Sequence, residues 1–399
     1  MRSHRIVMHG FMSFYTMLSF LLCVPVGCQA ANHRVIVNPD LDNAQKFKKE
    51  NDFNLFPPKY GPLEETELDK IDFREDDEKG VRSYRLLHDP KGDIDRAKGY
   101  DPAEYTVTPN LAMINSPSHD IQITWINHAS FLIQLGNKYR IVTDPVLGPI
   151  DGLAGSFMKC FDTFKLYAES PLKVKDLPFG NGSGENQGNK INIVAISHDH
   201  YDHLNWNTIK QLPLDTHFYV PLGLDKKFPS HFSNVTAMDW YTEDKIEDLK
   251  IHFIPANHRS GRGLVTIGQP TLWGGWLIEY KNTRIYFSGD TGYSDLFKDI
   301  RERYGKIDIC LMPITAWFQR NWHFAPEDAI HAAQDCGCKT LIPWGWGTWI
   351  MSFEHILTPT RRLQYAWDQM QPENIDLRIL KMGETFSFDA DADAGSEGK

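Results

Sequence analysis

A chain of 399 residues is long enough for one large domain or two ordinary ones, and 41% hydrophobic with 24% charged residues is the balance of a soluble globular protein. The formal net charge of −10, with no basic stripe, excludes a general nucleic-acid binder. An acidic chain can still hold a local cationic site, and bound metal ions would create one.

Arg2 and Arg5 precede a stretch with no Lys, Arg, Asp or Glu until Arg34. Its apolar centre, residues 11–22, is followed by Pro25, Gly27, Ala30 and Ala31. Basic start, short apolar core and small-residue exit are the parts of a secretory signal over residues 1–30. The same run is nearly long enough to span a bilayer, so an anchor through residues 6–31 is the competing reading, and lipid attachment at Cys28 a third. Each places the chain outside the cytosol, in the secretory pathway, the periplasm or the medium. Cys160, Cys310, Cys336 and Cys338 remain, without zinc-cluster spacing or a disulfide framework. Cys310 lies in an apolar run, where a buried thiol is the default.

Residues 31–118 are polar and mixed in charge, with Pro57-Pro58 and the charged run Arg74-Glu75-Asp76-Asp77-Glu78, and read as a partly irregular N-terminal extension. From residue 119 the pattern changes. Ile121–Ile126, Ser130–Leu135 and Tyr139–Pro145 are strand-like runs joined by short turns, a meander at a sheet edge. A Gly/Asn/Ser loop over 179–190 leads into the buried strand Ile191–Ile196. Further strands are expected at 217–221, 250–255, 275–280, 283–288, 307–313 and 340–343. Helices are expected over 325–336, with Pro326 in the first turn, and over 359–371. Interspersed strands and helices indicate an α/β or α+β layered domain over 119–388, with a hint of two β-rich halves, and residues 389–399 form a disordered acidic tail.

The strand at 191–196 empties into Ser197-His198-Asp199-His200-Tyr201-Asp202-His203, three histidines and two aspartates within six residues. Imidazole and carboxylate are the side chains that a divalent ion such as zinc accepts. Three more candidates sit past strands or before a helix: His258, Asp290 within Gly289-Asp290-Thr291-Gly292, and His323. Singly, a histidine after a strand is usually solvated and an aspartate between glycines is usually a turn residue. Their shared position with the main cluster reverses that reading for His258 and Asp290 and leaves His323 open.

These motifs, with Thr124-Trp125-Ile126-Asn127-His128-Ala129, Thr143-Asp144-Pro145, Val220-Pro221-Leu222-Gly223-Leu224 and Trp346-Gly347-Thr348, resemble the metallo-β-lactamase superfamily over residues 119–358. Within it, the fuller resemblance is to the N-acylphosphatidylethanolamine-hydrolysing phospholipase D family and its bacterial relatives. The resemblance implies a four-layer αββα sandwich carrying zinc at the sheet edge. One zinc would take His198, His200 and His258, a second Asp202 and His203, and Asp290 would bridge them. Two such ions stabilise both oxygens of a phosphodiester displacement. Asp290 and Asp202 are the expected catalytic carboxylates, and Tyr201 and His323 the expected substrate contacts. The reaction implied releases N-acylethanolamine and phosphatidic acid. The expected partners are a phospholipid substrate and a membrane surface, with a homodimer compatible and nucleic acid excluded.

One position departs from the family. A histidine before its Trp-Gly-Thr completes the second metal site, and here that position is Gly345. The sequence therefore predicts a second site one ligand short, with His355 as a weak substitute. Alternatives follow from it: a lactone or other phosphoester as substrate, or a catalytically weakened lipid-binding protein. Trp273, Trp276, Trp317, Trp322, Trp344, Trp346 and Trp349 form either a lipid-facing wall or core packing, the latter favoured for Trp276.

Overall fold

The computed structural model describes residues 33–41, 55–61, 66, 68, 97–150, 165–179, 190–262, 271–350 and 354–389. The leader, Cys160, most of the extension, the loop at 180–189 and the tail from residue 390 lie outside the described residues.

Short β-branched and aromatic runs build two sheets, each drawn almost wholly from one half of the chain. The first holds β1 (Arg34–Ile36), β2 (Ile121–Asn127), β3 (Ser130–Leu135), β4 (Tyr139–Thr143), β5 (Ile191–Ala195), β6 (His217–Pro221) and β7 (Val235–Met238). The second holds β8 (Thr242–Ile246), β9 (Leu249–Ile254), β10 (Gly275–Tyr280), β11 (Thr283–Phe287), β12 (Ile309–Pro313), β13 (Thr340–Trp344) and β14 (Asp376–Leu377). A last strand, β15 (Thr385–Phe388), returns to the first sheet beside β2. The strand orders are β1-β7-β6-β5-β4-β3-β2-β15 and β14-β13-β12-β11-β10-β9-β8.

The meander β2-β3-β4 is antiparallel as expected, but β15 covers it, so it is not the sheet edge. At the other end, β1 pairs in parallel with β7, which gives the extension a strand in the sheet. Polar β8, whose residues alternate between buried and exposed along the sheet edge, carries too little apolar pattern to be read from sequence.

Alternation along the strands sorts side chains between two cores. Ile141, Ile193, Ala195 and Tyr219 face the second sheet, whereas Val142, Val194, Phe218 and Val220 face outward beneath coil and two short helices. Those helices are α1 (Leu111–Asn115) and α2 (Trp206–Ile209). Between the sheets, Phe131 meets Phe287 at 6.4 Å, Tyr139 meets Tyr280 at 5.7 Å and Tyr219 meets Trp276 at 6.1 Å between ring centroids. On the far side of the second sheet lie α3 (Leu296–Tyr304), α4 (Pro326–Cys336) and α5 (Thr358–Met370), with α4 packed on β12 and β13. The layers are those of the α/β metallo-β-lactamase sandwich. Helix α4 starts at Pro326 as read, and Asp328 accepts from the Ala325 amide at 2.9 Å, satisfying one orphan donor of the first turn. Gly337 closes it at φ +64°, leaving Cys336 and Cys338 as buried free thiols.

Strand direction places the site. The pairings give β2, β4 and β5 one direction in the first sheet, and β9, β11, β12 and β13 one direction in the second. The residues singled out in the sequence follow the carboxyl ends of these strands, the end where open α/β sheets bind ligands.

Trp276 is fully buried between the sheets, 4.6 Å from the Phe253 ring, and its indole N–H has no hydrogen-bond partner among the described residues. Trp276→Ala should cost about 3–5 kcal/mol, measured by urea unfolding. Trp276→Phe should cost clearly less, because it fills most of the volume and removes an unsatisfied donor.

Candidate metal centre

Asp290 Oδ2 is the geometric centre of the site. It lies 3.3 Å from His203 Nε2, 3.7 Å from His258 Nε2, 3.7 Å from His323 Nδ1 and 4.0 Å from His198 Nε2. Asp290 reaches this point from the turn after β11, where Gly289 takes φ +60°. A Cβ on Gly289 would stand 2.7 Å from the Gly274 carbonyl and 2.8 Å from Ser197 Cβ, so only glycine lets the turn pass against the other sheet.

Two donor groups flank that oxygen. His198, His200, His258 and Asp290 form one, and His128, Asp202 and His203 the other, each with ligand atoms within 4.8 Å of one another. In the first group His198 Nε2 and His258 Nε2 converge on His200 Nδ1 at 2.8 and 3.2 Å. In the second, His203 Nε2 and His128 Nε2 lie 3.3 and 3.1 Å from Asp202 Oδ2. All six sequence-predicted ligands are thus brought together. His128 joins them unpredicted, although it follows β2 as His258 follows β9.

The protons of these imidazoles are assigned by their other partners. The His258 Nδ1 faces the Trp322 carbonyl at 3.1 Å, and a carbonyl only accepts. Nδ1 of His203 is 2.7 Å from Asp144 Oδ2. Ser197 Oγ donates to the same oxygen at 2.5 Å, which leaves it to accept from His198 Nδ1 at 2.9 Å. In His198, His203 and His258, Nδ1 therefore carries the hydrogen and Nε2 presents a lone pair inward, whereas His200 turns its Nδ1 inward. Outer partners that fix tautomer and ring orientation are the usual support of metal-binding histidines. Asp144, present in the sequence reading only within Thr143-Asp144-Pro145, is the carboxylate that links both groups. It holds φ +34°, an uncommon backbone for a residue other than glycine.

The donor set fits a divalent cation. Nε2 of His203 is buried, within 3.3 Å of two carboxylate oxygens, yet in hydrogen-bond geometry to neither. Bare lone pairs facing carboxylates repel unless a cation lies between them.

The electrostatics say the same. Burial would depress the His203 pKa, but Asp290, Asp202 and Asp144 push it well above the ordinary imidazole value. Burial and the neighbouring histidines hold His198 and His258 well below it. Against the cost of burial, His203 and His128 keep Asp202 well below the usual carboxylate range, and His203 does the same for Asp290.

The surroundings are defined. Tyr201 is half-buried under the Arg262 guanidinium at 4.2 Å, and Arg259 stacks on Trp322 at 3.9 Å. His323 comes from the turn before α4, where buried Arg320 pairs with Asp328 at 2.6 Å and with Glu327 at 3.2 Å. Asp199 faces away, binding Lys227 Nζ at 2.8 Å and the Gly261 amide at 2.6 Å. His355 is no substitute ligand. Its Nε2 lies 2.9 Å from the Lys98 carbonyl and its Nδ1 accepts from the Leu357 amide at 3.2 Å.

The sequence profile of the β-lactamase superfamily domain matches residues 139–346. The chain belongs to the metallo-β-lactamase superfamily. It is 32% identical over 281 residues to N-acyl-phosphatidylethanolamine-hydrolyzing phospholipase D 1 of Caenorhabditis elegans, covering 65% of this chain and 74% of the relative. An uncharacterized protein of Mycobacterium tuberculosis is 30% identical over 66% of this chain and 68% of its own. The mitochondrial N-acyl-phosphatidylethanolamine-hydrolyzing phospholipase D of Saccharomyces cerevisiae is 28% identical over 66% and 58%. With this membership and these donor groups, the superfamily member described here is a metal-dependent hydrolase.

Asp144→Asn retains shape but cannot accept every hydrogen bond that Asp144 accepts from Ser197 and His203. It should weaken metal retention by about 10–100-fold, read as metal left on the protein across a chelator titration. Unchanged retention would remove Asp144 from the centre.

Proposed function

We propose that the protein is a zinc-dependent phosphodiesterase of the phospholipase D type, releasing N-acylethanolamine and phosphatidic acid from N-acylphosphatidylethanolamine at a membrane surface. The observation that carries this reading is the single Asp290 oxygen set between two donor groups, with four imidazoles within 4.0 Å. A shared carboxylate between two cation groups suits in-line displacement at phosphorus, and the names of the worm and yeast relatives supply the substrate.

When bound, zinc would supply Lewis-acid polarisation of the phosphoryl oxygens and lower the pKa of an attacking water. The remaining work falls to side chains. Asp290 and Asp202 hold the donor groups together, and Asp290 accepts the proton that water gives up. A new P–O bond forms from water as the P–O bond to the N-acylethanolamine breaks, and the proton taken up by Asp290 passes to the leaving oxygen. His323, with Nδ1 3.7 Å from Asp290 Oδ2, is placed to donate to a phosphoryl oxygen. Tyr201 and the guanidinium groups of Arg259 and Arg262 frame the approach and attract an anionic headgroup to an otherwise acidic protein.

Zinc-loaded protein should convert N-acylphosphatidylethanolamine in mixed vesicles to equal amounts of N-acylethanolamine and phosphatidic acid, followed by mass spectrometry. Asp290→Asn should lower the rate by about 10²–10⁴-fold. Faster opening of a lactone than cleavage of any phosphodiester by the same preparation would overturn the substrate reading.

A further inference from the structure

We propose that His128 is the third protein ligand of the second metal group, in place of the side chain that Gly345 lacks. This rests on the reading of the centre as a two-metal site. The second group is therefore complete in this chain, by a different route from the family's.

Four observations converge. Buried His128 puts Nε2 3.1 Å from Asp202 Oδ2, in the same group of donor atoms as His203. Its Nδ1 lies 3.3 Å from the carbonyl of Gly345 itself. Since a carbonyl can only accept, Nδ1 carries the hydrogen, and in the neutral ring Nε2 turns its lone pair toward Asp202 Oδ2; a doubly protonated ring would instead donate to that oxygen, the case the test below separates. The residue that lost the ligand thus orients its replacement.

The ring is also locked. Trp349 packs edge-on at 5.0 Å, Trp344 at 5.9 Å and His203 at 5.4 Å between centroids. Its backbone stands at φ +35° in the two-residue turn between β2 and β3, held by the His128 amide donating to Thr348 Oγ1 at 3.1 Å and by Trp125 Nε1 donating to the His128 carbonyl at 3.0 Å. A non-glycine residue kept at positive φ in a well-tied turn is the kind of local cost that functional positions carry.

Finally, residue 345 cannot serve. It holds φ +99°, and a Cβ there would stand 2.8 Å from Thr315 Oγ1. A histidine at 345 would meet both strain and a clash, so restoring the family residue is not a repair.

The test counts metal, not turnover. Wild type, His128→Asn and Gly345→His are dialysed against buffered zinc, and bound metal is measured by mass spectrometry. The same proteins are loaded with cobalt for visible absorption. Wild type should hold two equivalents. His128→Asn, in which asparagine tolerates the positive φ, should hold one, with loss of part of the cobalt spectrum. Gly345→His should gain none and unfold more easily. In His128→Gly, which also suits that backbone, added imidazole should restore the second equivalent. Two equivalents of unchanged affinity in His128→Asn would overturn the proposal, as would one equivalent in both wild type and His128→Asn, which would make His128 an ion-pair partner of Asp202. No bound metal in any variant would instead overturn the metal-centre reading on which it rests.

Discussion

The buried carboxylate of Asp144 is the constraint on which the centre depends. Its Oδ2 receives Ser197 Oγ at 2.5 Å and His203 Nδ1 at 2.7 Å, while Oδ1 receives the Ser197 amide at 2.7 Å. Through Ser197 the same carboxylate reaches His198. Two histidines of one loop, assigned to different donor groups, are thereby given one tautomer each and turned inward together. Burial pushes the Asp144 carboxyl up in pKa, while His203 and Ser197 pull it down. A lone carboxylate in that place would be too costly to keep, and the hydrogen bonds offset the cost. They form because β4 and β5 are parallel neighbours, pairing Thr143 with Ala195, so that Asp144 and Ser197 leave adjacent strand ends at nearly one height.

The same logic extends across the sandwich. Seven strands that deliver residues to the site's vicinity run the same way within their sheets, and the turns beyond them meet over the sheet edge. The meeting is close enough that a Cβ on Gly289 would stand 2.8 Å from Ser197 Cβ of the other sheet. On the remaining side the turn carrying His323 is closed by the Trp322 and His323 amides, which donate to the Gln319 carbonyl at 2.9 and 3.0 Å. It is anchored further by Arg320, which pairs with Asp328 and Glu327, while Arg362 of α5 binds Glu327 at 2.5 Å. That buried chain of charges ties the His323 turn to two helices. Removing one member would strand another charge in the interior, which is why such networks hold geometry even where they add little net stability.

Much of this was legible in the sequence because its signals are local. A β-branched run followed by a burst of His and Asp identifies β5 and its ligands, and Pro326 and Gly337 bracket α4. The elements that escaped are those whose identity depends on partners. Polar β8, two-residue β14 and β15 are strands because a neighbour offers an edge, not because their own pattern demands it. The missed site residues are a different case. His128 and Asp144 sit just past β2 and β4, the same strand-exit position that drew attention to His258 and Asp290. What distinguished them was the direction of the strands, and a single sequence does not reveal that β2 and β4 end where β5 ends. The apparent gap at Gly345 had the same origin, since a position in sequence says nothing of which imidazole stands beside it in space.

Charge balance explains how an acidic chain could present the anion-binding site proposed above. Asp144, Asp202 and Asp290 place three carboxylates in one buried volume, and the neutral imidazoles around them cannot neutralise that charge. Two divalent cations would more than do so, leaving a centre slightly positive toward a singly charged phosphodiester. The rim then matters for selection. Arg259 lies on the Trp322 face and Arg262 on the Tyr201 face, where Arg262 also donates to the Leu204 carbonyl at 2.6 Å. The phospholipid proposed above as substrate would meet guanidinium groups and aromatic rings together. The net charge of −10 is compatible with that chemistry because field at a site is set by the nearest few groups, and distant surface carboxylates are screened within about 8–10 Å at physiological salt.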